Sequence, residues 1–431
     1  MTTKTMDDRR RLSSRVLQDE YREKELSRRL ILKGALATSA MAMSGGIGCS
    51  GDESRNEQRL GEDLGRSQDS NVLDTHDAGA DQHSSDIGTF NSFDSQMRSD
   101  AENPRDVGVD MPDQGLVDLP SPAGHLVGMG YDEAHHLAAL NAAFAASLDL
   151  SFVQPGQTVY FKVNCNNGDP YPHSTKPELI VELARRCRDH GAERIIVGDR
   201  SFWGDTGTAA NMRRNGVSAA AEMAGADLMV FDDDTVDWVQ IDEADVPNWN
   251  GGFRLPLPVV QADHIINLPC MKTHFISEFT MSLKNMIGLV HPADRRRPGN
   301  LDVHRIPELW SQIAEINQHI TPSINILDGY DALITGGPTV RDGRGPTYAS
   351  PKVIIVSADR VAADIAGIAV LQTVSPAVEE VTQTTAWRSG QIRAAYRAGL
   401  GIRRPDDFDL SGPTVPERMM TLYRQNALRR A

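Results

Sequence analysis

The chain has few cysteines, and none of them are spaced in pairs. Its four, Cys49, Cys165, Cys187 and Cys270, never fall at Cys-x-x-Cys spacing. That speaks against a zinc ribbon, a c-type haem or a clustered iron–sulfur site. If Cys49 carries a lipid, an odd number remains, which is not a disulfide framework. There is no His-x-x-x-His or His-Glu-x-x-His pair among the 12 histidines, no Gly-x-Ser-x-Gly elbow, and no Gly-x-Gly-x-x-Gly after the first strand. Those absences remove the usual signals for a zincin, a hydrolase elbow and a dinucleotide fold. Basic stripes are missing too. With a formal net charge of -15, the chain is not suited to a phosphate backbone, so nucleic acid is not an expected partner.

The acidity that is present is uneven. Between Gly51 and Pro120 stand 17 Asp and Glu against 5 Lys and Arg. Asp, Ser, Gly, Asn and Gln dominate from residue 50 to 122, and no apolar period persists. Such a segment cannot bury enough apolar area to offset the entropy of ordering. It is read as a disordered acidic linker. Of the 431 residues, those from 123 onward leave a folded unit long enough to bury roughly three quarters of its unfolded surface.

The first 49 residues read as an address. Ser27-Arg28-Arg29-Leu30-Ile31-Leu32-Lys33 resembles a twin-arginine export motif, with Ile31 where Phe is commoner. An apolar, small-residue stretch follows from Gly34 to Gly48. It has the length of a signal core and falls short of the ~20 residues that span a bilayer. It ends Gly46-Ile47-Gly48-Cys49, similar to a lipobox with Gly46 in place of Leu. The competing reading is a surface helix that happens to contain Arg-Arg. The order of motif, apolar core and small-residue end favours export. The expected partner is then the twin-arginine machinery. The expected location is the periplasm or cell envelope, with membrane contact only through a lipid on Cys49.

From residue 123 the pattern is βα. Helical periodicity from Asp132 to Leu148 is followed by an apolar strand at 159–163 and a helix opened by Pro177. Further strands are expected at 194–199, 228–231, 264–268, 324–327 and 353–356. Helices are expected at 209–224, 306–320 and 361–371. Alternation of this kind predicts an α/β fold: a mostly parallel sheet with helices on both faces, preceded by a disordered N-terminal third. The α/β domain is assigned residues 123–405, with a peripheral helical tail from 406 to 431.

Ligands of such sheets bind beyond the carboxyl ends of the strands. Polar clusters fall at four of those ends: Asn164 to Asp169, Asp199-Arg200-Ser201, Pro269 to His274, and Asp328-Gly329. They share one crevice if their strands are neighbours. The richest segment is ADHIINLPCMKTHFISEFTMSLKNMIG, residues 262–288. Here Lys272 and His274 are expected in a loop. Thr280, Lys284, Asn285 and Gly288 are expected in a short helix, with Thr280 and Lys284 on one face. Two lysines and a histidine suit an anion, a carbonyl or a phosphate, and a desolvated lysine can act as base or Schiff-base nucleophile. Taken singly, each residue is better explained by capping or bridging loops; the segment as a whole points to a site.

This segment resembles domain-of-unknown-function family 362 (DUF 362). The shared core stands here as Asn267, Pro269, Lys272, His274, Thr280, Lys284, Asn285 and Gly288. Lys162-Val163-Asn164, Gly191-Ala192 with Gly198-Asp199, Asp328-Gly329 with Gly337-Pro338, and Asp359 with Asp364 extend it over roughly residues 155 to 375. Some members carry ferredoxin-type cysteine clusters; this chain has none. A more distant similarity, of fold alone, is to lactate-racemase-like proteins.

Two readings follow. In the first the chain is an enzyme: Lys272, His274 and Lys284 are catalytic, and Asn164, Thr280, Asn285, Asp199 and Asp328 hold a small anionic or carbonyl-bearing substrate. In the second it is a non-catalytic lipoprotein that binds a ligand or cofactor in the same crevice. The sequence names no cofactor. His173, His274, His291, His304, Asp199, Asp328 and Asp364 could ligate a metal only if folding gathers them. Arg295-Arg296-Arg297, beside Pro298-Gly299, reads as a solvated loop, and Gly336-Gly337-Pro338 as a turn.

Overall fold

The computed structural model describes residues 126–202, 207–232, 236–300, 307–335, 337, 347–374 and 384–429. The export segment, Cys49, the acidic linker, His304, Gly336 and Pro338 lie outside them.

Strand β1 is Leu126–Tyr131, β2 Thr158–Val163, β3 Arg194–Asp199 and β4 Asp227–Val230. A separate antiparallel pair, β5 (Trp238–Ile241) and β6 (Phe253–Pro256), precedes β7, His264–Leu268. Next come β8 (Cys270–His274), β9 (Glu278–Thr280), β10 (Ile324–Thr335), β11 (Thr347–Ala349), β12 (Val353–Ser357) and β13 (Asp409–Ser411). The main sheet runs β13-β1-β12-β10-β7-β2-β3-β4, with β8, β9 and β11 attached through β10. Along that row only β12 is antiparallel to its neighbours.

The sheet is a mostly parallel α/β sheet, as the βα alternation implies. Its central strands are apolar on both faces, so each face carries a core of its own. Val159, Phe161 and Val163 point to one side, where helices 136–146, 177–189, 208–214 and 217–223 pack. Tyr160, Ile196 and Leu327 point to the other, under helices 308–319, 360–374, 390–397 and 417–428. β1 shows how closely one helix lies. A Cβ on Gly130 would meet the Ala139 carbonyl oxygen at 1.9 Å, so glycine lets the helix backbone touch the strand.

Strand order also fixes where a site can form. From β2 the chain moves outward to β3 and β4, while β7 lies on the opposite side of β2 and leads on to β10. The reversal between β2 and β7 opens a crevice beyond their carboxyl ends. β2, β3, β7 and β10 do stand side by side.

Three local expectations are corrected. Lys272 and His274 lie in β8, not a loop. Thr280 ends β9, and Lys284 and Asn285 sit in a helix of only four residues, Ser282–Asn285. β8 exists because it pairs with β10 about 60 residues away (Leu333 opposite Lys272), a partner that local propensity cannot see. Asp328-Gly329 is inside β10, which runs twelve residues. Beyond residue 406 the chain is less peripheral than its composition suggests: β13 pairs with β1, and Tyr423 is fully buried. Among the described residues no helix is long and apolar enough to cross a membrane.

Candidate functional site

A row of polar residues crosses the middle of the sheet on one face. Gly198, Lys162, Asn267, Asn325 and Ser357 are successive cross-strand partners on β3, β2, β7, β10 and β12. Buried polar groups must be paired, and these are. Asn267 Nδ2 donates to Asn325 Oδ1 (2.9 Å) and to the Ser282 carbonyl (3.0 Å). Asn325 Nδ2 donates to the Ser357 carbonyl at 3.2 Å. Lys162 Nζ lies 2.7 Å from Asp199 Oδ1.

This row seats the turn that carries the motif. Asn285 Nδ2 donates to Asn267 Oδ1 (2.8 Å), and Asn285 Oδ1 accepts from Asn164 Nδ2 (2.9 Å). The start of the helix is held from the other side. Asp364 accepts the backbone N–H of Ser282 at 2.8 Å and of Leu283 at 2.9 Å, as an N-terminal carboxylate should. Burial pushes the Asp364 carboxyl up to about 7, against the pull of those two N–H groups. Gly288 follows in a 3-10 turn, where a Cβ would sit 1.9 Å from Asp199 Oδ1. Only glycine lets the turn rest on the Lys162–Asp199 pair.

Above this floor lies a crevice of about 60 Å³, lined from β2 and β3 by Asn164, Cys165, Asn166, Asp199, Arg200 and Phe202. From the motif side Lys272, His274, Thr280, Lys284, Asn285, Ile287, Gly288 and Arg295 complete it. All three residues expected to be catalytic are therefore in one hollow, with Asn164, Thr280, Asn285 and Asp199. Lys272 and Thr280 meet because they are direct partners across β8 and β9.

The lining is cationic. Arg200, Lys272, Lys284 and Arg295 share the lining with one carboxylate, Asp199, which Lys162 already engages; outside the lining, Arg200 Nε lies 3.2 Å from Asp232 Oδ1. Lys272 is spent on the walls: Nζ donates to Asn164 Oδ1 at 2.5 Å and to the His173 carbonyl at 2.7 Å. Lys284 differs. It is 7% exposed, and its Nζ has no hydrogen bond or ion pair among the described residues. Burial, then the nearby Lys272 ammonium, hold its amine well below the usual lysine range. His274 Nδ1 accepts from the backbone N–H of Ile276 and Ser277 at 3.1 and 3.2 Å. The neutral ring then carries its hydrogen on Nε2, where it is a donor. Burial pushes the Cys165 thiol up to about 11, so it is not a thiolate nucleophile at neutral pH.

Asp328 is not in this lining. It is engaged by His136 Nε2 at 2.7 Å and by the Tyr171 hydroxyl at 2.8 Å. Of the described metal candidates, only His274 and Asp199 share the crevice. His173 meets the Tyr348 hydroxyl, and His291 meets Arg254. Among the described residues no group of three or more His, Cys, Asp or Glu is placed to hold a metal ion. Arg295, expected on a solvated loop, is 3% exposed and lines the crevice. Phe202 is a further lining residue that spacing did not single out, and Lys162 lies beneath the crevice as the partner of Asp199. Lys162 had a signal, as the one charged residue in an otherwise apolar strand.

Residues 159–369 match the model of a family described as "Domain of unknown function (DUF362)". The chain carries a DUF362 domain. The matched stretch of that domain runs from β2 into helix 360–374, so every residue lining the crevice falls within it. β1, β13 and helix 417–428 fall outside it. Among curated sequences, the chain is 25% identical over 281 residues to a thylakoid-associated protein of Synechocystis sp.. That alignment covers 63% of this chain and 80% of the relative. Among solved structures it is similar to the lactate racemase apoprotein of Thermoanaerobacterium thermosaccharolyticum, with TM-score 0.32 and 13% identity over 59% of each chain. A score of that size does not establish a common fold.

Proposed function

We propose that the DUF362 domain is an enzyme acting on a small anionic, carbonyl-bearing molecule, with Lys284 as the reacting amine. One observation carries this reading. A buried lysine is costly unless its charge is paired, and Lys284 opens into a crevice with no partner. Its lowered amine pKa keeps a larger share of it neutral than in an exposed lysine, and the neutral form is the nucleophile. Attack of Nζ on a carbonyl carbon, followed by loss of water, joins the two as an imine. Lys272 supplies positive charge beside the substrate, and His274 lines the same hollow. Lys272 then acts as an electrostatic wall rather than a second nucleophile, since Asn164 and His173 hold it.

The test is reductive trapping with cyanoborohydride and glyoxylate as the carbonyl probe, read by peptide mass. The expected result is an adduct on Lys284 that is absent in Lys284→Met. Modification confined to exposed lysines would overturn the reading. The alternative, a non-catalytic binding lipoprotein, is favoured if small anions bind and no adduct forms.

We also propose that the chain leaves the cytoplasm by the twin-arginine route and is kept at the periplasmic side by a lipid on Cys49. Support comes from the ordered motif, apolar core and cysteine of residues 27–49. The relative's name, thylakoid-associated, is in keeping with a protein kept at a membrane. Replacing Arg28 and Arg29 with Lys is expected to leave the chain in the cytoplasm. Cys49→Ala is expected to release it from the membrane fraction. Unchanged fractionation of both variants would reject the proposal.

A further inference from the structure

The polar groups of the crevice divide into those already satisfied and those that are not. Asn164, Asn285, Lys272 and Asp199 bond to one another or to the backbone. Three groups remain. Among the described residues, Thr280 Oγ1 and Asn166 Nδ2 are sealed from water with no hydrogen-bond partner, and Lys284 Nζ, at the same hollow, makes no hydrogen bond or ion pair. Thr280 and Lys284 are each 7% exposed, and all three residues line the same hollow.

Unsatisfied buried polar groups call for an explanation, and an unseen ligand is one. Each of these three can donate a hydrogen bond. The carboxylate and the Asn164 amide oxygen are occupied: Asp199 takes Lys162 and the N–H groups of Cys165 and Arg200, while Asn164 Oδ1 takes Lys272. Among the described residues, unpaired donors are in surplus. A cation or a donor-rich neutral molecule would meet no complement here. A species made of acceptors would meet several.

Size narrows the class. At roughly 10–15 Å³ per water-sized occupant, about 60 Å³ seats roughly four to six non-hydrogen atoms. We propose that the crevice is an oxyanion site, in which Thr280 Oγ1, Asn166 Nδ2 and Lys284 Nζ seat a phosphate- or carboxylate-sized group. The inference rests on the crevice being the functional site and names what anchors its substrate. Phosphate and a short carboxylate share this chemistry, so the experiment has one arm for each.

The full chain is titrated calorimetrically in Tris chloride at low ionic strength with inorganic phosphate alone, and separately with propionate alone. One site per chain is expected for at least one of them. Thr280→Val keeps the shape of the side chain, and Lys284→Met its length. Each is expected to weaken binding about tenfold or more, the usual loss for a charge-assisted bond. Thr280→Ser is expected to restore affinity. Binding of neither anion overturns the proposal, as does affinity indifferent to both substitutions. Anion binding without any trapped adduct would reject the amine chemistry alone. An adduct without anion binding would reject this inference alone.

Discussion

Lys162 Nζ and Asp199 Oδ1 meet at 2.7 Å with both side chains sealed from water. Burial opposes the charge of each, raising the carboxyl and lowering the amine, while their contact works the other way. Three donors converge on the carboxylate: Lys162, the Cys165 N–H and the Arg200 N–H. The pair holds the ends of β2 and β3 in register beneath the crevice. Removing one partner strands the other, at a cost of about 3–5 kcal/mol. Asp199→Ala and Lys162→Met are each expected to lower stability by that order in urea unfolding. The double variant should cost much less than the sum. Additive losses would mean the two do not act as a pair.

Gly288→Ala tests the close approach above that pair. Its methyl would fall 1.9 Å from Asp199 Oδ1, so the turn has to shift or the pair has to open. Overpacking of this kind costs about 1–3 kcal/mol. Weaker anion binding should accompany the lower melting temperature, because the turn also carries Lys284. A fully stable variant would show that the turn has slack.

Lys284→Met should part stability from function. An unpaired buried amine penalises folding, and an apolar side chain of similar length removes the penalty. A gain of about 1–4 kcal/mol at neutral pH is expected. The sign with pH follows from the lowered folded pKa. The wild-type chain recovers stability as pH rises toward the unfolded value of about 10.4, so the advantage of methionine shrinks there. Melting curves at several pH values check this, and a destabilised methionine variant would contradict it.

Asp364 predicts the opposite slope. Its folded carboxyl lies at about 7, above the unfolded value of about 3.9. The folded chain therefore holds that proton more tightly. The stability this contributes is complete below about pH 4 and is lost as pH rises to about 7. Asp364→Asn should flatten the pH dependence of unfolding across that window. An unchanged profile would place the titration elsewhere.

Legibility in the sequence varied with how local the cause is. β2, β3 and β7 announce themselves because a strand buried on both faces needs a largely apolar run, broken here by single polar positions such as Lys162 and Asn267. β1 does not: Gly128 and Gly130 are there for the helix that lies on them, and they leave no strand signal in the sequence. β8 is hidden for another reason. Cys270 to His274 are extended because β9 and β10 flank them, and nothing in five mixed residues says so. For the site, Asn164, Asp199, Lys272 and His274 stood out as polar residues at strand ends, and Thr280, Lys284 and Asn285 as the polar positions of the segment that follows. Asp328 looked equivalent, yet its strand continues past it and His136 takes it. Arg295 was missed because three arginines beside Pro-Gly look like a solvated loop, and only the fold tucks the first of them inward.

The placement of β13 has a consequence for synthesis. Val127 lies beside Leu410, and Gly128 beside Val356. Neither neighbour of the first strand exists until most of the polypeptide has left the ribosome. A nascent chain thus carries β1 with both edges bare, and the sheet closes only after the final segment emerges. Any translocation begun before termination would move an incomplete fold, whereas a carrier of finished proteins would wait for that closure.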